Sequence, residues 1–419
     1  MHHGRSSTNQ LAIHGGRPLR SDPMPPWPVF DEQQIGAVAD VLRSGKVNYW
    51  TGDACRQFEQ QFASAVGCKH AVAVANGTVA LELALHALGI AVGDEVLVTC
   101  RSFVASATCC TSRGALPVFA DVDPKSQNVT PATLRAALTP QTKALIAVHL
   151  AGWPCEMDPI MALARERGLW VVEDCAQAQG ATYRGRPVGS LGHAAAFSFC
   201  QDKILTTGGE GGMLTTNDTE VWERAWSYKD HGKSHLATRR RGMPGTFHWM
   251  HDTPGTNWRM TEMQAAIGRI ALERLPEWLR IRRRNAAILS EQLRDIPGLR
   301  LAVPPPHVEH SYYKYYVFVE PECLRPAWSR DRILAALIAE GIPCGSGACP
   351  EIYLEKAFEG TSLRPTKRLP NARRLGETSL MLLVHPTLGE RDILDTSAAL
   401  RKVLCEAAAD RRGGLRRAA

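Results

Sequence analysis

One lysine is a candidate for a chemically reactive residue, because an apolar run ends near it and a glycine-rich turn begins just beyond it. The run Ala195–Phe199 is followed by Lys203, and four glycines lie within 208–212. A lysine held where a buried strand ends can lose its proton, because burial disfavours the ammonium form. A neutral lysine amine can form a Schiff base with a carbonyl compound. An ordinary surface lysine in a turn is the alternative for this residue taken alone.

A second candidate is Asp174, which directly follows the apolar segment 169–173. A carboxylate just beyond a buried strand must be paired or hydrogen-bonded. The pyridinium N–H of pyridoxal phosphate (PLP) is one such partner, and this ion pair keeps the ring an electron sink. PLP is also the usual carbonyl partner of a reactive lysine. A helix N-cap is an equally good account of Asp174 taken alone.

A third candidate is the tight turn Asn76-Gly77-Thr78, which separates a strand predicted over 70–75 from a helix predicted over 79–88. Free backbone N–H groups at the start of a helix bind phosphate well. Many α/β turns share this pattern, so the turn alone does not identify a phosphate site. Together with Lys203 and Asp174, it supplies a partner for each part of PLP.

The elements around these residues alternate between short apolar strands and amphipathic helices, which predicts a mostly parallel sheet covered on both faces. Ligands bind beyond the carboxyl ends of such strands. Asn76, Phe103, Asp174 and Lys203 all lie at or just past such ends. Further strands are predicted over 95–99, 116–121, 144–149 and 169–173, and helices over 31–44, 54–66, 103–113, 131–138 and 158–167.

Three regions are predicted along the chain. Residues 1–30 are polar and proline-rich and predict an extended arm. Residues 31–274 form a large PLP-binding domain, and residues 275–419 a smaller α+β domain. In this last region we expect helices over 278–294, 329–340 and 390–409, and strands over 312–319 and 380–384.

Composition fits a globular protein with a real core: 419 residues, 44% hydrophobic and 22% charged. The net charge of +7 is spread along the chain, with arginine clusters at 239–241 and 411–417. A solvated surface is the preferred interpretation of both clusters, and attraction of an anionic substrate is the alternative. No nucleic-acid-binding motif is found. Nucleic acid is therefore not an expected partner.

Twelve cysteines show no regular metal-ligand spacing, so no metal site is expected and reduced thiols are the default. The N-terminus has no apolar core of a signal peptide, and no apolar run reaches the length of a spanning helix. We therefore expect a cytoplasmic protein with no membrane partner.

Several sequence blocks, taken in order, resemble the DegT/DnrJ/EryC1/StrS family of PLP-dependent sugar aminotransferases. The resemblance extends from about residue 28 to about 404. It implies an α/β protein with the PLP-dependent transferase fold type I, as in aspartate aminotransferase. That fold has a mostly parallel seven-stranded sheet in its large domain. The matching blocks are Asn76-Gly77-Thr78, Glu173-Asp174 with Gln177, Ser198-Phe199 with Lys203, the glycines of 208–212, Gly255–Met260, Gln264–Gly268 and His385-Pro386.

The resemblance gives two residues catalytic roles and places two more against the cofactor ring. Lys203 would bind PLP covalently and shuttle the proton, and Asp174 would pair the pyridine nitrogen. Gln177 would hydrogen-bond the ring's phenolic oxygen, although a polar helix residue is the alternative. Phe103 would lie against the ring, although core packing explains any one phenylalanine equally well.

The resemblance assigns the remaining residues to the phosphate. Gly77 and Thr78 would hold it through backbone N–H groups and a hydroxyl. Ser198 would add a second hydroxyl, with a strand serine of no special function as the alternative. Asn257 would reach the phosphate of the neighbouring subunit, which would make a homodimer with shared active sites the catalytic unit.

These residues predict a PLP-dependent aminotransferase, cycling between PLP and pyridoxamine phosphate (PMP). It would move an amino group from L-glutamate or L-glutamine to a keto-sugar, most readily a nucleotide-linked one. A keto-cyclitol of the scyllo-inosose type is the nearest rival substrate. A dehydratase on the same fold is disfavoured because its relatives carry histidine in place of Lys203. A non-catalytic PLP-binding regulator is the alternative from another class.

Some positions depart from the commoner family pattern. Gln179 stands where relatives often have histidine, and the segment 200–202 before the lysine is a less frequent choice. The segment 344–353 replaces the more usual histidine-bearing substrate loop. These differences leave the cofactor chemistry intact and put the identity of the substrate in question.

Overall fold

A computed structural model of the chain describes residues 10–239 and 247–409. Its helices are α1 (Glu32–Ser44), α2 (Ala54–Val66), α3 (Gly77–Ala87), α4 (Ala105–Thr111), α5 (Pro131–Ala137), α6 (Met157–Arg167), α7 (Thr219–Lys229), α8 (Glu262–Leu293), α9 (Arg330–Ala339), α10 (Pro370–Thr378) and α11 (Glu390–Ala407). Its strands are β1 (His70–Val74), β2 (Glu95–Thr99), β3 (Leu116–Ala120), β4 (Thr142–Val148), β5 (Trp170–Asp174), β6 (Thr182–Tyr183), β7 (Arg186–Pro187), β8 (Ala194–Ser198), β9 (Gly212–Thr216), β10 (Leu299–Leu301), β11 (Val308–Glu309), β12 (Tyr315–Val319), β13 (Cys344–Gly345) and β14 (Ser379–Leu382).

The central sheet has seven strands in the order β1-β9-β8-β5-β4-β2-β3. The pairings among β8, β5, β4, β2 and β3 are parallel, whereas β9 runs antiparallel to both β1 and β8. Six strands therefore point the same way and one is reversed. The prediction of a mostly parallel seven-stranded sheet is confirmed.

Both faces of this sheet are covered by helices, as the apolar strands require. Side chains of α2, α5, α6 and the first half of α8 build one buried cluster, and those of α3 and α4 contribute with α7 to the other. Phe58 and Phe62 on α2 pack against Phe197 and Phe199 of the strand that leads to Lys203. This packing fixes the end of β8, and with it the start of the lysine turn.

A second, antiparallel sheet has the order β10-β12-β14-β13 and packs against α9, α11 and the second half of α8. The predicted start of a helix at Trp278 is wrong, because α8 begins at Glu262 and runs for 32 residues. Thr261 and Gln264 form a capping box that starts it, and Pro276 lies inside it. The helix therefore passes through the expected limit at 274/275, and the division into domains stays a prediction.

The other differences from the predicted elements are small shifts of their limits, or elements that were not predicted. Most helix and strand limits agree within two residues, which is the usual uncertainty of such limits. The strand expected from Tyr312 begins only at Tyr315, because Tyr312 has a φ of 50° and leaves the extended conformation. The sequence analysis did not predict β9 or α7. Among the helices described, none is long and apolar enough to cross a membrane.

The described part of the predicted arm, residues 10–30, is mainly irregular, with one short 3₁₀ turn over Ala12–His14. It lies on its own chain: the backbone N–H groups of Ala12 and Leu19 donate to the carboxylate of Glu340 at 2.9 Å each. Of the two predicted arginine clusters, positions 240, 241 and 411–417 lie outside the described residues.

Candidate active site

The candidate residues meet at one edge of the central sheet. β1, β5 and β8 end there at Val74, Asp174 and Ser198, because these strands point the same way. The reversed strand β9 begins at the same edge, so that Gly212 pairs with both Val74 and Ser198. The turn Asn76-Gly77-Thr78, the carboxylate of Asp174 and the glycine-rich turn are thereby brought together.

The turn at Asn76 has the geometry expected of a phosphate site. The side chain of Asn76 caps α3 by accepting the N–H of Val79 at 3.0 Å. A Cβ on Gly77 would lie 2.5 Å from Cβ of Ser198, and one on Gly212 would lie 2.3 Å from the carbonyl oxygen of Asn76. Only glycine permits this close approach, which sets the first N–H groups of α3 beside the Ser198 hydroxyl. That set of donors fits an anion.

Asp174 is a buried carboxylate, with only 5% of its surface exposed. Its Oδ2 accepts the hydroxyl hydrogen of Ser106 at 2.8 Å, and its Oδ1 accepts the N–H of Ala176 at 3.1 Å. Among the residues that the structure describes, none forms an ion pair with it. No helix begins after β5, so the alternative of a helix N-cap is wrong. A cationic N–H donor such as a pyridinium therefore fits this carboxylate.

The preceding carboxylate, Glu173, points to the opposite side of β5 and has its own partners. It accepts Nε2–H of His149 at 3.0 Å and the N–H groups of Gly189, Leu191 and Gly192. Burial opposes ionisation, but these hydrogen bonds hold the pKa of Glu173 below its ordinary value. His149 accepts the N–H of Cys155 at Nδ1, so its proton sits on Nε2. Glu173 is therefore satisfied within the protein, unlike Asp174.

Gln177 lies in a turn, so the alternative of a polar helix residue is wrong. Its Oε1 accepts the N–H of Ala151 at 2.8 Å, which leaves the amide N–H group as the donor for a ligand oxygen. Ala151 has a φ of 58°, and Tyr313 donates its N–H to the Ala151 carbonyl at 2.9 Å. Left-handed backbone at a residue other than glycine costs energy and is common at functional sites.

Lys203 lies beside a tyrosine and within a group of charged side chains. Its Nζ is 4.8 Å from the centre of the Tyr313 ring, and the Tyr313 hydroxyl donates to Asp202. Lys314 Nζ is 3.7 Å from Asp202 Oδ2. Partial burial works against ionisation, but the Tyr313 hydroxyl and the two lysines hold the pKa of Asp202 below its ordinary value. Asp202 thus balances part of the positive charge around Lys203.

Three of these neighbours were missed by the sequence analysis. Trp27 donates Nε1–H to the carbonyl oxygen of Lys203 at 2.9 Å, although 176 positions separate them. Tyr313 and Lys314 belong to an aromatic run that was assigned to a strand. A tryptophan within a proline-rich segment and a lysine among tyrosines were the only local hints.

Phe103 and Asn257 are exposed, and among the described residues neither side chain forms a hydrogen bond or ring contact with the rest of this group. Phe103 is 64% exposed, which rules out core packing as its explanation. The backbone of Asn257 forms an antiparallel β-bridge with that of Asp230. The carbonyl oxygen of the next residue, Trp258, accepts the N–H of Ala75 at 2.9 Å. Asn257 therefore lies near the start of the turn Asn76-Gly77-Thr78, with its side chain exposed.

The segment 344–353, which departs from the family pattern, lies against the same edge. The N–H of Ala348 donates to the Tyr316 hydroxyl at 2.8 Å, and the Ser379 hydroxyl donates to the carbonyl of Ser346 at 2.7 Å. Cys349 forms an antiparallel bridge with Ser102, just beyond β2. This segment is therefore a fixed wall beside the candidate site.

The mainly parallel, helix-covered sheet, with the lysine, the buried carboxylate and the Asn76 turn at the ends of its strands, is the architecture of an α/β protein of PLP-dependent transferase fold type I. The sequence model of the DegT/DnrJ/EryC1/StrS aminotransferase family matches residues 28–401. The chain belongs to this family, and it is an aminotransferase.

Individual relatives are similar in sequence to this protein over most of its length. An aminotransferase of known structure from Psychrobacter cryohalolentis is 52% identical with a TM-score of 0.90, covering 92% of this chain and all of that one. GDP-perosamine synthase of Caulobacter vibrioides is 41% identical over 83% of this chain and 89% of its own length. L-glutamine:2-deoxy-scyllo-inosose aminotransferase of Streptoalloteichus tenebrarius is 34% identical over 94% of this chain and 97% of its own length.

Proposed function

We propose that this aminotransferase binds PLP at Lys203 and aminates a keto-sugar, most readily a nucleotide-linked one, with L-glutamate or L-glutamine as donor. The observation that carries the proposal is the buried carboxylate of Asp174, which has hydrogen-bond donors but no cation among the described residues. A buried carboxylate is costly without a charged partner, and the protonated ring nitrogen of PLP supplies one. When bound, PLP provides an electron-withdrawing ring.

Each protein group then has a defined task. The amine of Lys203 would take the proton from the α-carbon of the donor and deliver it to the cofactor carbon that had carried the aldehyde, which is general acid–base catalysis. Asp174 keeps a proton on the ring nitrogen, and Gln177 donates to the phenolic oxygen. Gly77, Thr78 and Ser198 hold the phosphate. Phe103 covers one face of the ring.

The substrate class is inferred from the relatives. The name of the Caulobacter protein specifies a nucleotide-linked amino sugar, and that of the Streptoalloteichus protein a keto-cyclitol with L-glutamine as donor. The higher identity to the former favours a nucleotide-linked keto-sugar here. Membership in an aminotransferase family favours catalysis over the alternative of a PLP-binding regulator.

A half-reaction screen tests this proposal. The protein is loaded with PLP and treated with L-glutamate or L-glutamine in separate samples, and we expect at least one donor to bleach the visible absorbance. The PMP form is then mixed with nucleotide-linked keto-sugars and keto-cyclitols, and products are identified by mass. Amination of cyclitols alone would replace the proposed substrate by its rival. Failure of every donor to change the absorbance would contradict the function itself.

We further propose that Asn257 of the partner subunit completes each phosphate site in a homodimer. Loss of one hydrogen bond to a charged phosphate is expected to weaken PLP binding by about 10-fold or more in Asn257→Ala. Fluorescence titration of the apoprotein with PLP measures this change.

Mixed dimers decide which chain uses Asn257. A dimer of one Lys203→Ala and one Asn257→Ala subunit contains one intact site if Asn257 acts across the interface, and activity returns to about half of the wild-type value per dimer. The assay uses a PLP concentration that fills wild-type sites but leaves most Asn257→Ala sites empty, because excess PLP would mask a loss of affinity. If Asn257 serves its own chain, each site carries one defect and activity is not restored. The second result would contradict the shared site.

A further inference from the structure

A chain of two serine hydroxyls ends on the carboxylate of Asp174. The Ser106 hydroxyl lies 2.8 Å from Asp174 Oδ2, and the Ser102 hydroxyl lies 3.1 Å from that of Ser106. Ser106 lies in α4, and Ser102 lies in the turn between β2 and that helix. The two serines therefore reach Asp174 from a different segment than the strand that carries it.

The direction of these hydrogen bonds follows from the chemistry of their acceptor. An ionised carboxylate only accepts, so the hydrogen of Ser106 must point to Asp174. Ser106 then has no hydrogen left for Ser102, and Ser102 must be the donor of the second bond. All hydrogen bonds of this chain therefore point in one direction, from Ser102 through Ser106 to Asp174.

Burial makes these bonds difficult to replace. Ser102 and Ser106 are each 1% exposed, and Asp174 is 5% exposed. Water cannot readily take the place of a lost hydroxyl in such a site, and an unsatisfied buried charge is costly. The hydroxyl of Ser106 therefore satisfies one oxygen of the Asp174 carboxylate and limits the rotation of that carboxylate.

Ser102, the first residue of this hydrogen-bond chain, is also held firmly. The backbone of Ser102 forms an antiparallel β-bridge with that of Cys349. The preceding residue, Arg101, is fully buried and donates from Nε to Gln127 at 3.1 Å and from Nη2 to Ser379 at 3.0 Å. The position of Ser102 thus depends on the wall formed by segment 344–353.

We propose that Ser106, oriented by Ser102, is a positioning residue that holds the carboxylate of Asp174 aimed at the ring nitrogen of PLP. This inference rests on the proposed function, in which Asp174 pairs with that nitrogen. Ser106 itself does not touch the reacting atoms. Its effect on catalysis is exerted through the carboxylate.

The test compares Ser106→Ala and Ser106→Thr with the wild-type protein. Ser106→Ala removes the donor and is expected to lower kcat by about 10- to 100-fold, with KM for the amino donor nearly unchanged. The visible circular dichroism of bound PLP is expected to change, because the ring loses its fixed partner. Ser106→Thr keeps the hydroxyl and is expected to restore both properties. Ser102→Ala, which leaves the last bond in place, is expected to show a smaller loss of kcat.

Thr108→Val is the matched control, since the Thr108 hydroxyl lies on the same helix and donates to the Val104 carbonyl. It is expected to behave as wild type. Thermal melting of each variant separates a folding defect from a local one. Wild-type kcat and dichroism in Ser106→Ala, or equal defects in Ser106→Ala and Ser106→Thr, would overturn the inference. A wild-type protein that binds no PLP would instead contradict the proposed function.

Discussion

Replacing Lys203 with alanine is expected to lower the rate of transamination by about 10³-fold or more and to abolish covalent retention of PLP. The reason is that one amine serves both as the attachment point and as the group that moves the proton, and loss of a general acid–base alone costs about 10²- to 10⁴-fold. Rates with the chosen donor and acceptor measure the first effect. Borohydride reduction of the loaded protein, followed by peptide mapping, measures the second.

Lys314 supplies a stringent control for that experiment. Its Nζ lies 4.8 Å from the same Tyr313 ring as Lys203 Nζ, and it pairs with Asp202, the residue that precedes Lys203. We expect the reduced label on residue 203 alone, and we expect Lys314→Ala to retain the label. A label on residue 314, or a fully active Lys203→Ala variant that melts like wild type, would refute the assignment of Lys203.

The sequence predicted the parts of the fold that follow local patterns. β1 to β5 are short apolar runs separated by helices, and both patterns can be recognised within short windows of this part of the sequence. β9 and α7 were missed, since a five-residue strand after a glycine-rich turn has little pattern of its own. α8 was predicted only from Trp278 onward, although it begins at Glu262. Its buried face belongs to the large-sheet cluster as far as Leu279 and to the second-sheet cluster from Ala286.

The candidate site was predicted to the extent that strand ends define it. Asp174, Ser198 and the turn after Val74 lie at the ends of strands that point the same way, so their proximity follows from the topology. Trp27 and Tyr313 reach Lys203 from distant segments, and no spacing rule connects such contacts.

The serine chain was also missed, because a buried serine has the same appearance in a sequence as a surface one. The contact is visible only in the structure, where Ser106 near the start of α4 comes within hydrogen-bond distance of Asp174 at the end of β5. Asn257 presents the opposite case: the resemblance assigns it to a neighbouring subunit, which a single chain does not contain. Its function stays a prediction that the mixed dimers test.

Asp174→Asn is expected to lower kcat by about 10- to 150-fold while the protein remains folded. Asparagine keeps the shape of the side chain but not its charge, so the ring nitrogen loses an ion pair. A hydrogen bond to a charged group contributes about 1.5–3 kcal/mol, which corresponds to that range of rates. Stopped-flow absorbance of the loaded protein with its amino donor measures the loss.

Glu173→Gln is the matched control, because the two carboxylates are neighbours in β5 with different partners. Glu173 accepts from His149 and three backbone N–H groups, all within the protein. Its loss of charge is expected to lower the melting temperature while leaving the rate per folded, loaded site close to wild type. Asp174→Asn is expected to do the reverse. Equal rates for Asp174→Asn and wild type would remove Asp174 from the catalytic machinery and, with it, the argument from its unpaired charge.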